Sequence, residues 1–221
     1  MANKIPTALV SDFDGTISDD DFFNYVSRRW LGEKALDPWR EYTEGKKTHF
    51  EALREIFASL RVEQPAFDDF IREIKIDPGF FTVADYCRRR DIPVYVCSAG
   101  CDYYIDKLAG KEMADCRVRL VANHGVYSPE TGLVMTPLPE NSPFYDPNTG
   151  ISKAAVVAYL QRRGYRVVYC GDGMPDVAAA AIADVVFARK MLLLQCRQLN
   201  IPAEELTDFN QVYRFLKGEK Q

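Results

Sequence analysis

Ala8-Leu9-Val10-Ser11-Asp12-Phe13-Asp14-Gly15-Thr16 is the stretch on which the reading of this chain turns: an apolar run that empties into two aspartates one residue apart. Residues 8–11 and Phe13 have the makeup of a strand buried on both faces. That puts Asp12 and Asp14 at its carboxyl end, where open α/β sheets bind ligands. Gly15 lets the backbone turn without a Cβ clash, and Thr16 offers a hydroxyl and an amide to whatever the carboxylates face. Two carboxylates so close repel each other unless a cation or a shared proton intervenes, so the pair calls for a divalent metal, a proton shuttle, or both. Asp-x-Asp-Gly also opens calcium loops of the EF-hand kind, but those need a glutamate at their twelfth position, and here that position is Phe23. A plain Asp-Gly turn is the other reading that the pentapeptide alone admits.

Outward from this stretch the pattern changes. From about Asp19 to Ile76 the sequence is helical and amphipathic. Phe22, Phe23, Tyr25, Val26 and Trp30 form one apolar face, and Phe50, Leu53, Ile56, Phe57 and Leu60 another. Gly32, Asp37-Pro38 and Gly45 divide the helices, and Pro65 suits the first turn of the next. No part of the segment reads as a central parallel strand, which predicts a small helical insertion. Beyond it, residues 80–90 read as a helix feeding a second buried strand at 92–97, followed by a small-residue turn at Ser98-Ala99-Gly100 and a helix from Asp102. Residues 116–122 are strand-like, and 125–137 form a hairpin candidate.

Residues 141–150, rich in Pro, Asn, Asp and Gly, predict an ordered loop. Ser152 is an N-cap with Lys153 in the first turn of its helix; a cation there opposes the helix dipole, so its position serves something other than helix stability. A third core strand at 165–170 ends in Gly171-Asp172-Gly173-Met174-Pro175-Asp176, residues 185–188 form a fourth, and the remainder predicts surface helices.

Three strand ends carrying Asp-x-Asp, Ser and Asp-x-x-x-Asp, plus one helix-start lysine, fit a single site over the carboxyl ends of a parallel sheet. They are the parts for cleaving a phosphate monoester. Phosphoryl transfer depends on positioning and charge neutralisation, and so needs a metal, a cation and several N–H or O–H donors.

In this order the motifs resemble those of the haloacid dehalogenase superfamily of aspartate-nucleophile phosphatases: Asp12 to Thr16 the first motif, Ser98 the second, Lys153 the third, Gly171 to Asp176 the fourth. The resemblance implies an α/β fold, a three-layer Rossmann-like core with a parallel sheet (residues 1–17 and 78–221), and a small helical cap inserted after the first strand (18–77). It implies that Asp12 is the nucleophile and Asp14 the general acid and base, with Mg²⁺ held by Asp12, the Asp14 carbonyl and Asp172, and with Asp176 holding the metal shell or Lys153. Gly15, Thr16, Ser98, Ala99 and Lys153 would bind the phosphoryl group. Within the superfamily the chain is most similar to the phosphoserine phosphatase branch and, there, to the methionine-salvage phosphatases of 2-hydroxy-3-keto-5-methylthiopentenyl-1-phosphate, through residues 98–102, 171–177 and 187–197. Asp21 and Arg54 stand where phosphoserine phosphatases hold the substrate ammonium and carboxylate, although Asp21 is shorter than their glutamate and Gly15 replaces their usual serine. A phosphoserine phosphatase, a phosphotransferase, a dehalogenase and a non-enzymatic phosphate-binding scaffold are the alternatives.

Composition agrees with a metabolite enzyme. The chain has 221 residues, 47% of them apolar, and its 28 basic and 32 acidic side chains leave a formal charge of −4, with no one-signed block to suggest a nucleic-acid surface. Arg88-Arg89-Arg90 closes a predicted helix, where positive charge favours the dipole. Six scattered cysteines without a CxxC pair read as reduced core thiols and predict a cytoplasmic protein; with His49 and His124 as the only histidines, a zinc site is not expected. The first residues carry one lysine and a short apolar run, unlike a signal peptide, and no segment approaches a membrane span. A small phosphorylated metabolite is the expected partner of a monomer or homodimer.

Overall fold

The computed structural model describes residues 5–219; Met1 to Lys4 and Lys220-Gln221, which open and close the expected core ranges, lie outside the described residues. Among the described residues the strands are β1 (Thr7–Ser11), β2 (Val94–Cys101), β3 (Arg119–Ser128), β4 (Gly132–Thr136), β5 (Arg166–Gly171), β6 (Val185–Ala188) and β7 (Glu204–Glu205). They make one seven-stranded sheet in the order β4-β3-β2-β1-β5-β6-β7, parallel except where β4 returns along β3 as the expected hairpin. β1 lies at its centre, with Ser11 facing Val96 of β2 and Cys170 of β5.

Alternation along β1 explains the layers. Leu9 belongs to an apolar cluster with Phe80 and Val83 of α5 (Pro78–Arg89), Ile105 of α6 (Asp102–Asp115) and Val212 of α10 (Phe209–Lys217). Its neighbours Ala8 and Val10 join Val156 and Leu160 of α7 (Lys153–Arg162), Ala180 of α8 (Val177–Ala180) and Leu192 of α9 (Lys190–Gln198). A strand with apolar residues on both faces is thus covered by helices on both sides. The carboxyl-terminal helices are therefore layers of the sandwich and not surface additions: Leu192, Cys196, Phe209 and Val212 are buried.

Between β1 and α5 the chain is helical, as its period predicts. It forms α1 (Phe22–Val26), a π-helical turn (Ser27–Leu31), a 3-10 turn (Glu33–Leu36), α2 (Asp37–Thr43), α3 (His49–Ala58) and α4 (Gln64–Glu73). Both connections to the sheet run side by side, joined by a bridge between Ser18 and Ile76 and by hydrogen bonds from Asp19 N to Lys75 O (3.3 Å) and Asp77 N to Ile17 O (2.9 Å).

Two local expectations are corrected. Ser98-Ala99-Gly100 does not turn; β2 stays extended to Cys101, with a register shift against β3 between Ser98 and Cys101. Gly100 makes this possible, because a Cβ there would collide with the Tyr104 hydroxyl and crowd the Asp14 carboxylate. β7 was not expected, since its two glutamates are exposed and carry no apolar pattern. Among the described residues no helix is long and apolar enough to cross a membrane.

Candidate active site

The carboxyl ends of β1, β2, β5 and β6 meet over one cavity of about 350 Å³. Asp12 follows β1 directly, its amide still donating to Cys170 O of β5 (2.9 Å) and one oxygen accepting from Phe13 N (2.7 Å). Lys153 reaches it from the first turn of α7, whose cap is the Ser152 hydroxyl, accepting from Ala155 N (3.2 Å). The Lys153 ammonium is 2.8 Å from Asp12 Oδ1 and 2.6 Å from Asp176 Oδ1, and all three residues are buried. Burial works against the ammonium, but the two carboxylates override it and raise its pKa.

Asp176 is fully engaged. Oδ1 accepts from Lys153 and from the Tyr169 hydroxyl (2.6 Å), and Oδ2 from the amides of Asp172 (3.0 Å) and Gly173 (2.8 Å). Burial favours its neutral form, yet the Lys153 charge and these hydrogen bonds hold it below the usual carboxylate range. Burial, followed by the Asp176 charge, pushes Asp12 well above that range, and the same pair of causes raises Asp172. Asp14 points the other way. Its Oδ2 accepts from Ser98 Oγ (2.7 Å) and Tyr104 Oη (2.6 Å), its Oδ1 from Phe22 N (3.3 Å), and burial raises its pKa. A carboxyl so placed, its pKa raised by burial and its Oδ2 in hydrogen bonds with hydroxyls, is suited to proton transfer.

Gly15 adopts φ +72°, and a Cβ there would collide with the Asp172 carboxylate and meet the Lys190 ammonium, so the turn after Asp14 is packed against the end of β5. Thr16 is buried, and its hydroxyl has no partner among the described residues. The Ser98 hydroxyl is committed to Asp14, while Ala99 lines the cavity. Asp21 lines it too; burial, then the charges of Asp14 and Asp172, raise its pKa to about 7. Arg54 is not brought to the cavity. It stands on the exposed face of α3, its guanidinium 5.8 Å from the Phe50 ring centre.

The fit to a divalent cation rests on charge and donor type. Four carboxyl groups (Asp12, Asp14, Asp21, Asp172) and two ammoniums (Lys153, Lys190) line the cavity. A phosphate dianion cannot enter so acidic a space without further positive charge. Carboxylate oxygens of Asp12, Asp172 and Asp176 lie within 4.8 Å of one another, and no hydrogen bond reaches the Asp14 carbonyl among the described residues. Since both Asp176 oxygens are taken, the donors left for an ion are Asp12, Asp172 and that carbonyl, an all-oxygen set that suits Mg²⁺.

Sequence reasoning missed Tyr104, Tyr169, His49 and Lys190. Lys190 follows β6 at φ +46°, its ammonium 3.1 Å from Asp172 Oδ2 and 3.0 Å from Gly15 O. A cation at a core strand's carboxyl end was the signal that could have found it. The tyrosines and the histidine occupy positions where an apolar reading of the pattern serves equally well.

A family model described as haloacid dehalogenase-like hydrolase matches residues 9–181. A relative from Brevibacillus brevis, named 2-hydroxy-3-keto-5-methylthiopentenyl-1-phosphate phosphatase, is 28% identical, with 100% of this chain and 99% of its own covered. A polyol phosphate phosphatase of Saccharomyces cerevisiae is 27% identical over 98% of this chain and 96% of its own. Among solved structures, a substrate-bound phosphoserine phosphatase shares the fold, with a TM-score of 0.67 and 17% identity over 96% of this chain and 99% of that one.

Proposed function

The chain belongs to the haloacid dehalogenase-like hydrolase family, and from that premise we propose that it is a Mg²⁺-dependent phosphatase that cleaves the phosphate monoester of a small metabolite through an aspartyl phosphate. The observation that carries this reading is the division of labour between the paired aspartates: Asp12 is gripped by the Lys153 ammonium, whereas Asp14 takes hydroxyl hydrogen bonds.

In the first half-reaction a carboxylate oxygen of Asp12 attacks phosphorus, the bond from phosphorus to the ester oxygen breaks, and Asp14 gives its proton to the departing alkoxide. In the second, Asp14 takes a proton from water as that water attacks the phosphorus, and phosphate leaves Asp12. Splitting the displacement in this way replaces one hard step by two easier ones. Lys153 spends two N–H bonds on Asp12 and Asp176 and keeps a third for a phosphoryl oxygen. Asp12, Asp172 and the Asp14 carbonyl would hold Mg²⁺, which supplies charge neutralisation for the phosphoryl group. Asp176 orients Lys153 and fixes the turn that presents Asp172.

Residues 18–77 act as the cap over a core of 1–17 and 78–221. The two adjacent crossings near Ser18 and Ile76 are the place where such a cap would swing. Phe22, Phe23, Trp39, Tyr42 and Leu53 of this segment wall the cavity, and Met174 and Met191, both half-exposed, also line it. That lining supports a substrate with an apolar portion, such as the methylthio compound in the name of the Brevibacillus relative, over phosphoserine. A carboxylate would find no unpaired cation on the lining, because both lysines there face carboxylates. The free thiols, five of six buried, support a reducing cytoplasm.

Hydrolysis of p-nitrophenyl phosphate tests the reading. Activity is expected with Mg²⁺, is abolished by EDTA and restored by added Mg²⁺, and falls by about three orders of magnitude or more in Asp12→Asn. Metal-independent activity, or an active Asp12→Asn variant, contradicts it.

A further inference from the structure

His49 opens α3 and lines the cavity, yet it makes no side-chain hydrogen bond. Nδ1 is buried without a partner, and no group among the described residues engages the other ring nitrogen. Leaving a buried polar group unpaired is unfavourable, and such groups in a cleft are commonly satisfied by what binds there. Of the other polar groups nearby, Lys153 and Lys190 are engaged with carboxylates, Asp14 with two hydroxyls and the Thr43 hydroxyl with Arg40 O, while the Asp21 carboxyl, the Trp39 indole N–H and the Tyr42 hydroxyl, like His49, have no hydrogen-bond partner among the described residues.

The ring is held in place. Its helix start is fixed by a capping box between Thr48 and Glu51 and by Asn148 of the 141–150 loop, which accepts from His49 N through its side chain (3.2 Å) and from Phe50 N through its carbonyl (2.8 Å). Trp39 and Tyr42 meet the imidazole edge to face, each 5.3 Å between centres, and Phe23 stacks on Trp39 at 4.2 Å. Burial first, then the Lys153 charge, lowers the His49 pKa to about 4, so at neutral pH the ring carries no charge to attract a carboxylate.

We propose that His49 is a residue that selects the substrate: its imidazole hydrogen-bonds a hydroxyl or carbonyl oxygen on the carbon skeleton of the leaving alcohol, whose apolar part lies against Phe23, Trp39 and Tyr42. The assignment rests on the phosphatase reading and adds the class of substrate, an uncharged oxygen-bearing alcohol. A site built to hydrogen-bond a substrate oxygen rejects analogues that lack it.

The test compares kcat/KM for glycerol 1-phosphate, which carries hydroxyls, with that for phenyl phosphate, which carries none, using the Mg²⁺-loaded enzyme. In His49→Ala the ratio of the first to the second falls by about tenfold or more, and His49→Gln, whose amide both donates and accepts, recovers part of it. An unchanged ratio, including an equal loss on both esters, overturns the assignment alone. A wild-type enzyme that cleaves neither ester overturns the phosphatase reading and this one together. The chain has two histidines, so imidazole ¹⁵N spectra of the Asp12→Asn protein offer a second readout that leaves His49 intact. Glycerol 1-phosphate shifts the His49 ring nitrogens while inorganic phosphate does not, and exposed His124 serves as reference. No shift at saturating ester, or the same shift with phosphate, overturns the assignment.

Discussion

Tyr104 and Ser98 both donate to Oδ2 of Asp14, and their hydrogen bonds oppose the burial that raises this carboxyl. Removing the Tyr104 hydroxyl removes a stabiliser of the charged form, so the pKa of Asp14 rises further. The acid form then persists to higher pH, and in Tyr104→Phe the alkaline limb of the kcat/KM profile for an alkyl phosphate moves upward; a downward shift contradicts the assignment of Asp14 as the acid. His49 makes a different pH prediction. Its folded pKa, about 4, lies below the ordinary 6.5. The unfolded chain therefore binds the proton first, and the contribution is intact above pH 6.5 and lost as pH falls through 4. The stability difference between wild type and His49→Gln, from urea unfolding at pH 7 and pH 4, changes by about 3 kcal/mol, with the wild type losing more. At this scale the sequence made the acids and Lys153 visible because a charged residue at the end of an apolar run has few structural reasons to be there. Tyr104 and His49 were invisible because aromatic residues at helical spacing are what a packed core requires as well.

At the scale of elements, the buried strands and the helical insertion were legible from period and punctuation, since an apolar run short enough for a strand and bounded by Gly or Asp has few other readings. The end of β2 was not legible. Ser-Ala-Gly reads as a turn by local propensity, but pairing with β3 and the close approach of Tyr104 keep it extended. The start of α3 carries a prediction of its own. Thr48 accepts from Glu51 N (3.1 Å), and Glu51 reaches back to Thr48 N (2.8 Å). Thr48→Ala removes the cap and costs about 1 kcal/mol in urea unfolding, and it is expected to raise KM more than it lowers kcat, because the element it loosens carries His49 and neither Asp12 nor Asp14.

Over the whole molecule, one apolar cluster runs from the sheet into the inserted helices: Leu9, Phe13 and Val168 of the core join Phe22, Phe57 and Phe67 of the insertion. The sequence pattern separated these parts by composition and could not show this continuity, which arises only when β1 delivers Phe13 and Ile17 beneath the helices. The same fold gathers Asp12, Lys153 and Asp172, far apart in sequence, at neighbouring strand and helix ends. The central claim is that Asp12 takes the phosphoryl group and Asp14 is needed to release it. It is tested most directly by mass spectrometry of the Asp14→Asn variant, acid-quenched after incubation with Mg²⁺ and p-nitrophenyl phosphate, whose phenolate departs without a proton. One phosphoryl group per chain, on the peptide that contains Asp12 and absent from the Asp12→Asn/Asp14→Asn double variant, is the predicted result; an unmodified protein that still releases nitrophenol, or a phosphoryl group on another residue, contradicts it.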